Sequence, residues 1–258
     1  MNKKNEEYLE NYEHISDEIK HITNSIVRLQ LLFSLFEGNK SMKELNEDTG
    51  LSYSSISSNI HLLETNQYVK RDDNRYFLSN VMKIYIRNLM EFNKTIHILQ
   101  EFFNLFENHK VRNISINSIS ELCMVENSKL LESSGTNAYK INKVILDAVE
   151  KSDSIKAILP ISFQDLREKI EEFAASDKKV EIKLSHDIFD DFTRNIDLDL
   201  PNVKIKEFKN DFNFLLILAN DMMIFGLYRK DGSYDQNRIM VSKSSEGLKW
   251  ANKLFNTI

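Results

Sequence analysis

Apolar residues step by threes and fours from Tyr8 to Phe36, through Leu9, Tyr12, Ile15, Ile19, Ile22, Ile26, Leu29 and Phe33. That is the period of an amphipathic helix, so the spacing predicts one long helix, or two in line, ending at Gly38-Asn39. A short pattern follows. Ser41 and Glu44 stand in the S-x-x-E relation of a capping box, which starts a helix at Met42. Gly50 supplies the left-handed residue that ends it. Leu51 plugs the corner, and Ser52 caps a second helix whose Ile56, Ile60 and Leu63 face inward. Asn66 is expected to close that helix in a left-handed cap. Two β-prone runs, Val69 to Arg71 and Arg75 to Leu78, are joined through Asp73-Asn74 as a hairpin.

Ser79 then caps a helix expected over 79–108. In it Tyr85, Leu89, Phe92, Ile96, Leu99, Phe103 and Phe106 form a seam over roughly three heptads, the minimum for a coiled coil. The seam reads either as a homodimer contact, slightly favoured, or as a face buried against the chain's own second domain. Beyond Lys110 the pattern changes. Residues 111–119 are rich in Ser and Asn, Leu122 to Val125 has the look of an edge strand, and 127–137 that of a polar loop. Helices at 138–151, 162–175 and 186–195 alternate with strands at 155–161 and 180–184. Strands at 203–208, 214–218, 222–228 and 239–241 and a closing helix at 246–256 complete the chain. The alternation predicts an α/β domain, parallel at first and with an antiparallel meander at one side.

Short helix, glycine corner, polar-faced helix and hairpin, in that order, make a winged helix-turn-helix, which lays its second helix in the major groove. The expected organisation is a helical extension at 1–18, a DNA-binding domain at 19–79, a linker and dimerisation helix at 80–109, and an α/β sensor or dimerisation domain at 110–258. The DNA-facing candidates are Ser52, Tyr53, Ser54, Ser55, Ser57, Ser58 and Asn59 on the second helix. Lys40, Lys43, Lys70, Arg71 and Arg75 are the candidates for the phosphate backbone. Charge tempers this. Seven basic residues between Lys20 and Asn80 are matched by seven acids, whereas DNA-binding domains are usually basic. The expectation is modest affinity that depends on dimerisation.

Composition excludes several classes. The chain has 258 residues, 41% of them hydrophobic, and a net charge of −5, so no global field draws it to nucleic acid or membrane. The single cysteine, Cys123, leaves no disulfide framework and no multi-cysteine zinc site. No apolar run approaches membrane-spanning length and the start leads into no signal region, which points to a cytoplasmic protein.

Several stretches resemble one family: Lys183-Leu-Ser-His-Asp-Ile-Phe189, Phe214-Leu-Leu-Ile217, Met222-Met-Ile-Phe-Gly-Leu-Tyr228, Lys230-Asp-Gly-Ser-Tyr-Asp235 and Gly247-Leu-Lys-Trp-Ala-Asn-Lys-Leu-Phe255. So does the winged helix with Ser41-Met-Lys-Glu-Leu at its second helix. The family is the archaeal winged-helix transcriptional regulators with the methanogenesis-regulatory-protein middle domain. The resemblance covers nearly the whole chain from about Ile19, through the order of motifs that are individually weak. It implies an ArsR-like winged helix and an α/β effector domain with a mixed sheet, loosely phospholipase-D-like. The H-x-K-x₄-D signature of that enzyme is absent. The serine-rich, acidic recognition face departs from the more basic or threonine-rich faces of such regulators.

A small, anionic effector is expected at the carboxyl ends of the first two parallel strands, where open α/β sheets bind ligands and helix amino termini converge. Pro160, Ser162, Ser185 and His186 mark that place, and Tyr228 and Lys230 would close it. The plainer reading makes Ser162 and Ser185 helix caps only. Neither a catalytic nor a cofactor site is supported: there is no G-x-S-x-G, no phosphate loop and no dinucleotide fingerprint. No pair of the six histidines has H-E-x-x-H spacing, and His14 and His21 lie on one charged helix face. The reading is a homodimeric transcriptional regulator of double-stranded DNA with a small-molecule effector and no membrane partner. The alternatives are a winged-helix protein-interaction module and an α/β-domain enzyme with a winged-helix appendage.

Overall fold

The structure, a computed structural model, describes residues 3–111, 114, 116–209 and 213–258. Residues 112, 113 and 115 of the Ser- and Asn-rich stretch, and the side chain of His14, lie outside the described residues. The chain forms two compact units, residues 1–91 and 92–258.

The first unit opens with α1 (Lys3–Thr23) and α2 (Ile26–Glu37), which resolves the choice in favour of two helices. Ser25 makes the break: its backbone is extended and its hydroxyl accepts from the Arg28 N–H, so α2 has its own N-cap. The two-residue strand β1 (Lys40–Ser41) leads into α3 (Met42–Thr49). Both halves of the capping box are present, with the Glu44 N–H donating to Ser41 Oγ at 3.3 Å and the Ser41 N–H to Glu44 Oε2 at 2.7 Å. Gly50, at φ 69°, ends α3 in the left-handed region and donates its N–H to Asn46. Ser52 caps α4 (Tyr53–Thr65). That helix does not end as expected. Asn66 keeps φ at −85°, and Gln67, at φ 60°, takes the left-handed position one residue later. The reason is local: Asn66 Nδ2 donates back to the Leu62 carbonyl and holds its own residue near helical geometry. Strands β2 (Val69–Asp72) and β3 (Arg75–Leu78) pair antiparallel around Asp73, at φ 47°, and β1 joins β3 to give a three-stranded sheet. Leu31, Leu32, Leu35, Leu45, Ile56, Ile60, Leu63, Val69 and Leu78 fill the core.

The boundary between the units falls inside α5 (Asn80–Glu101). The helix expected over 79–108 is interrupted at Phe102, and α6 (Phe103–Asn108) follows. Ser79 caps α5 as expected, accepting from the Met82 N–H.

In the second unit come α7 (Ile116–Ser120), a 3₁₀ turn at Leu122–Val125 and β4 (Lys129–Glu132). The edge strand expected at Leu122 to Val125 is therefore that turn, and the strand lies in the stretch expected as loop. Four apolar residues in a row do not distinguish strand from buried turn. Leu122 and Val125, three apart, are both buried, as a 3₁₀ turn with its three-residue period allows. Next are α8 (Lys140–Glu150), β5 (Ser154–Leu159), α9 (Gln164–Ala174), β6 (Lys179–Ser185), α10 (His186–Thr193) and β7 (Val203–Phe208). Strands β8 (Phe214–Ala219), β9 (Met222–Leu227) and β10 (Arg238–Ser242) precede α11 (Ser245–Asn256).

Seven strands pair in the order β4-β10-β9-β8-β5-β6-β7. Strands β5, β6 and β7 are parallel and the rest antiparallel, so β7 extends the parallel part and the meander begins at β8. Strand β8 is buried along its whole length because both its faces are covered. Leu215, Ile217 and Ala219 meet α8 and α9; Phe214, Leu216 and Leu218 meet Trp250, Ala251, Leu254 and Phe255 of α11. The outer strand β7 carries exposed Lys204 and Glu207, charges that blunt a free edge. The registers Ile158↔Leu216, Phe214↔Leu227 and Arg238↔Glu132 bring the carboxyl ends of β5, β6, β7, β9 and β4 to one rim of the sheet.

Candidate nucleic-acid interface

Ser54, Ser57, Ser58 and His61 stand at i, i+3, i+4 and i+7 of α4 and are all exposed, opposite buried Ile56, Ile60 and Leu63. Tyr53 is exposed beside them. Ser52 spends its hydroxyl on the cap, accepting from the Ser55 N–H. Half-buried Asn59 donates its Nδ2 to the Ser55 carbonyl at 2.9 Å, so it and Ser55 brace the helix more than they face outward. The outward face of these four is one of hydroxyls and an imidazole, able to donate and accept, and the acidic character expected of it reduces to half-buried Glu64, the one acid of α4, a turn beyond His61.

The cations sort into three groups. Lys40 is held between Glu37 and Asp48 with its side chain only 15% exposed, and Asp48 also accepts from Ser34 Oγ. The Asp48 and Glu37 carboxylates push its ammonium pKa up. Arg75 donates to the Asn39 carbonyl at 2.6 Å and to Glu44 at 3.0 Å. With the Ser41 N–H and hydroxyl foremost and Arg75 next, the Glu44 carboxyl is drawn down to about 2. These two cations are braces within the fold. Lys43 is exposed and lies 3.6 Å from Glu47, a loose surface pair. Lys70 and Arg71 are different. Among the described residues neither has a carboxylate within ion-pair distance; Arg71 donates to the Asp73 carbonyl and Asn74 and lies over the Tyr76 ring, which fixes it on the wing.

On α5 and α6 the heptad seam is open. Phe92, Ile96, Leu99 and Phe103 are 58%, 38%, 38% and 61% exposed, and Tyr85 is exposed as well. Leu89 is partly buried. The residues that do pack are one step round the helix: Met82 and Ile86 in the first unit, Ile98 and Phe102 in the second. Within the second unit, Phe92, Ile96, Leu99 and Phe103 are not buried by the domain that carries them, whereas Phe106, the last of the seam, is half-buried against its core. A similar exposed stripe, Tyr8, Tyr12, Ile15 and Ile19, runs along α1.

The six expected effector residues are spread along the rim. Pro160 is buried at the end of β5, and Phe163, rather than Ser162, is the N-cap of α9, with no side-chain cap bond. Ser185 holds the N-cap position of α10 but its hydroxyl makes no cap bond. His186, exposed, pairs with Glu207 of the neighbouring strand, and that carboxylate pushes the imidazole pKa up. Lys230 reaches Glu107 at 3.3 Å. The Tyr228 ring stacks edge-on against Tyr234, whose ring meets Phe163 in turn, so an aromatic chain connects the meander with the segment after β5.

Further along that rim, over β4, β10 and β9, a cleft of about 700 Å³ opens among His109, Glu132, Ser133, Arg229, Asp235 and Arg238. At its floor His109 and Asp235 are buried, with His109 Nε2 2.9 Å from Asp235 Oδ2 and Nδ1 2.7 Å from the Leu105 carbonyl. Burial pushes the Asp235 carboxyl up, but hydrogen bonds from Arg229, His109 and the Asn237 N–H outweigh it and hold the pKa below its usual value. Sequence reasoning missed this constellation. His109 and Asp235 are 126 positions apart, and no local spacing joins them. Among the described residues there is no group of three or more His, Cys, Asp or Glu side chains placed to hold a metal ion. None of their helices is long and apolar enough to cross a membrane.

Two family models match the chain: methanogenesis regulatory protein FilR1, N-terminal domain, over residues 16–99, and the middle domain of the same protein over residues 138–258. The curated methanogenesis regulatory protein FilR1 of Methanothrix harundinacea is 20% identical over 247 residues, covering 92% of this chain and 55% of its own length. The chain thus spans about half of that relative. Among solved structures, TrmBL2, described as an archaeal chromatin protein with a novel mode of DNA binding, aligns at 12% identity over 93% of this chain and 95% of its own, with a TM-score of 0.38. CalO1, a methyltransferase in calicheamicin biosynthesis, aligns at 12% identity over 81% and 67%, with a TM-score of 0.23. At those TM-scores neither structure carries an argument about this chain.

Proposed function

The chain belongs to the family of the methanogenesis regulatory protein FilR1, and on that premise we propose that it is a cytoplasmic, homodimeric transcriptional regulator that binds double-stranded DNA. The family is one of regulatory proteins, not enzymes. The observation that carries the DNA reading is the face of α4: Ser54, Ser57, Ser58 and His61 exposed in one row, beside a wing whose Lys70 and Arg71 have no carboxylate partner among the described residues. Hydroxyls and imidazole read base edges and phosphates; the wing cations position the domain without specifying sequence. Lys43 is a weaker third backbone contact. Lys40 and Arg75 act in this reading by holding α3 and the wing in place.

A second copy of the chain is the occupant of the exposed seam on α5, since a dimer presents two recognition helices to two half-sites. The α/β domain is the effector domain. Its phospholipase-D-like character, without the enzyme's motif, is part of this reading and supports no chemistry.

The test is binding of the full chain to DNA from its own upstream region, against Lys70→Gln/Arg71→Gln and Ser57→Ala/Ser58→Ala. The wing variant should weaken all DNA alike, and the helix variant should erode preference for the specific fragment. No binding to any fragment, or binding indifferent to both variants, would sink the reading in favour of a winged helix that meets protein.

A further inference from the structure

The rim cleft of the α/β domain has a second compartment. A smaller hollow of about 320 Å³, lined by Tyr139, Ile141, Ile145, Phe163 and Tyr234, adjoins the polar one, and Ala138 and Asn237 line both. Charged side chains mark the first compartment, while aromatic and aliphatic ones dominate the second, where the amides of Asn142 and Gln236 also stand.

The hydrogen-bonding capacity of the polar compartment is one-sided. Asp235 has both oxygens in use: Oδ1 accepts from Arg229 Nη2 at 2.7 Å and from the Asn237 N–H at 3.1 Å, and Oδ2 faces His109. Glu132 is engaged by Arg238 Nε at 2.7 Å. A guanidinium has five N–H donors. Among the described contacts, Arg229 commits only Nη2 and Arg238 only Nε, while 44% and 37% of the two side chains stay open to solvent. Asp235 is consumed and Glu132 keeps only Oε2, against the several uncommitted N–H donors of each guanidinium, so the donors are in surplus. Ser133 Oγ, shut from solvent, has no partner either. A polyol, each of whose hydroxyls also needs an acceptor, would find more donors than acceptors here. An ionised carboxylate or phosphate accepts only, and the planar arginine fork suits it.

On the apolar side, Tyr139 is 80% exposed, a ring that an occupant would cover. Tyr234 lines the same hollow, with its hydroxyl oxygen closed from solvent and unpartnered above Gly226.

We infer that this two-part cleft is a ligand site for a small anionic amphiphile, with a carboxylate or phosphate head on Arg229 and Arg238 and a ring or short apolar body on Tyr139, Ile141, Ile145 and Phe163. This rests on reading the α/β domain as the effector domain, and it moves the ligand along the rim from the ends of β5 and β6 to the β4–β10–β9 side. Asn108 and His109 end α6 and line the polar compartment. The Lys110 N–H donates to the Tyr228 carbonyl and the Lys230 N–H to that of Asn108, tying the end of α6 to the same segment. Occupancy is thereby sensed at the end of the helical stretch that begins after the wing.

The experiment is calorimetric titration of the full chain, without DNA, with phenylacetate, phenyl phosphate, uncharged phenylacetamide and acetate. At least one aromatic anion should bind with Kd of about 1 mM or tighter. Phenylacetamide and acetate should each be weaker by about tenfold or more, a difference of about 1.4 kcal/mol. Whichever anion binds tighter distinguishes a carboxylate from a phosphate source. Arg238→Gln, which breaks only a surface pair, should reduce that affinity by about tenfold while leaving the melting temperature in place. The site assignment is overturned if neither aromatic anion binds at about 10 mM, if the amide binds as tightly, or if Arg238→Gln makes no difference. Binding that follows the expected pattern in a chain that ignores DNA would retain the site and discard the transcriptional reading.

Discussion

Single residues decide much of the local energetics. Glu44 links the start of α3 to the wing through Ser41 and Arg75. Its carboxyl sits at about 2, lowered chiefly by the Ser41 N–H and hydroxyl and then by Arg75. A depressed carboxyl adds stability that is fully present above its ordinary value of 4.5 and is lost as pH falls from there towards about 2. Glu44→Gln should therefore be less stable than the wild type at neutral pH. Denaturant titrations in steps of acidity should show the gap closing below the ordinary carboxyl range; a gap independent of pH would refute this account. Gly226 and Tyr234 form a second local pair. A Cβ on residue 226 would stand 2.4 Å from the Tyr234 hydroxyl oxygen. Gly226→Ala should cost about 1–3 kcal/mol through overpacking. Tyr234→Phe removes a buried hydroxyl without a partner, so it should be neutral or stabilising by up to about 1 kcal/mol. The double variant should recover most of the loss, and additive effects in thermal unfolding would show that the ring, not the hydroxyl, is the obstacle.

At the scale of the element, the stretch of α5 and α6 has two apolar faces with separate fates. Met82, Ile86 and Ile98 are buried by the chain that carries them, while Phe92, Ile96, Leu99 and Phe103 are left to solvent. Heptad spacing alone made the seam visible, but it did not show which face would be covered from within. The exposed aromatic residues are too many and too aligned for scattered surface positions. Sedimentation of the wild type should give a dimer, and Phe92→Glu/Phe103→Glu a folded monomer with unchanged helix content. A wild-type monomer, or a variant that remains a dimer, would remove the α5–α6 seam as the interface. The smaller element α3 was readable almost to the residue, because its capping box, length and glycine stop are all local chemistry. Leu122 to Val125 and β4 were not: a four-residue apolar run carries no period, and β4 exists because β10 offers it an edge, from Arg238↔Glu132 to Val241↔Lys129.

For the whole molecule, charge sets the expectation for DNA. A chain of net charge −5 has no long-range field to draw it to a duplex, so affinity rests on the few wing cations. Two wings in a dimer bring four, from Lys70 and Arg71, and the slope of log K against log salt should be about −4. Lys70→Gln/Arg71→Gln should flatten it to the small remainder that Lys43 supplies. A slope several times steeper would mean that cations beyond the wing carry the contact.

The sequence by itself determined the winged helix, the order of α and β elements beyond residue 138, the buried face of α4 and the family. The first three depend on periodicity, caps and turn residues that act within a few positions; the family came from the resemblance of short motifs in their order along the chain. Only the tertiary structure decided which cations were free and where the cleft lies. Lys40 and Arg75 look like Lys70 and Arg71 in the sequence, yet the first pair meets Asp48 and Glu44 across the fold and the second meets no carboxylate among the described residues. The cleft needs His109 from the end of α6, Glu132 from β4 and Asp235 from the β9–β10 connection to meet at one rim. Strand register, not spacing along the chain, brings them there, and register is settled by burial of both sheet faces at once.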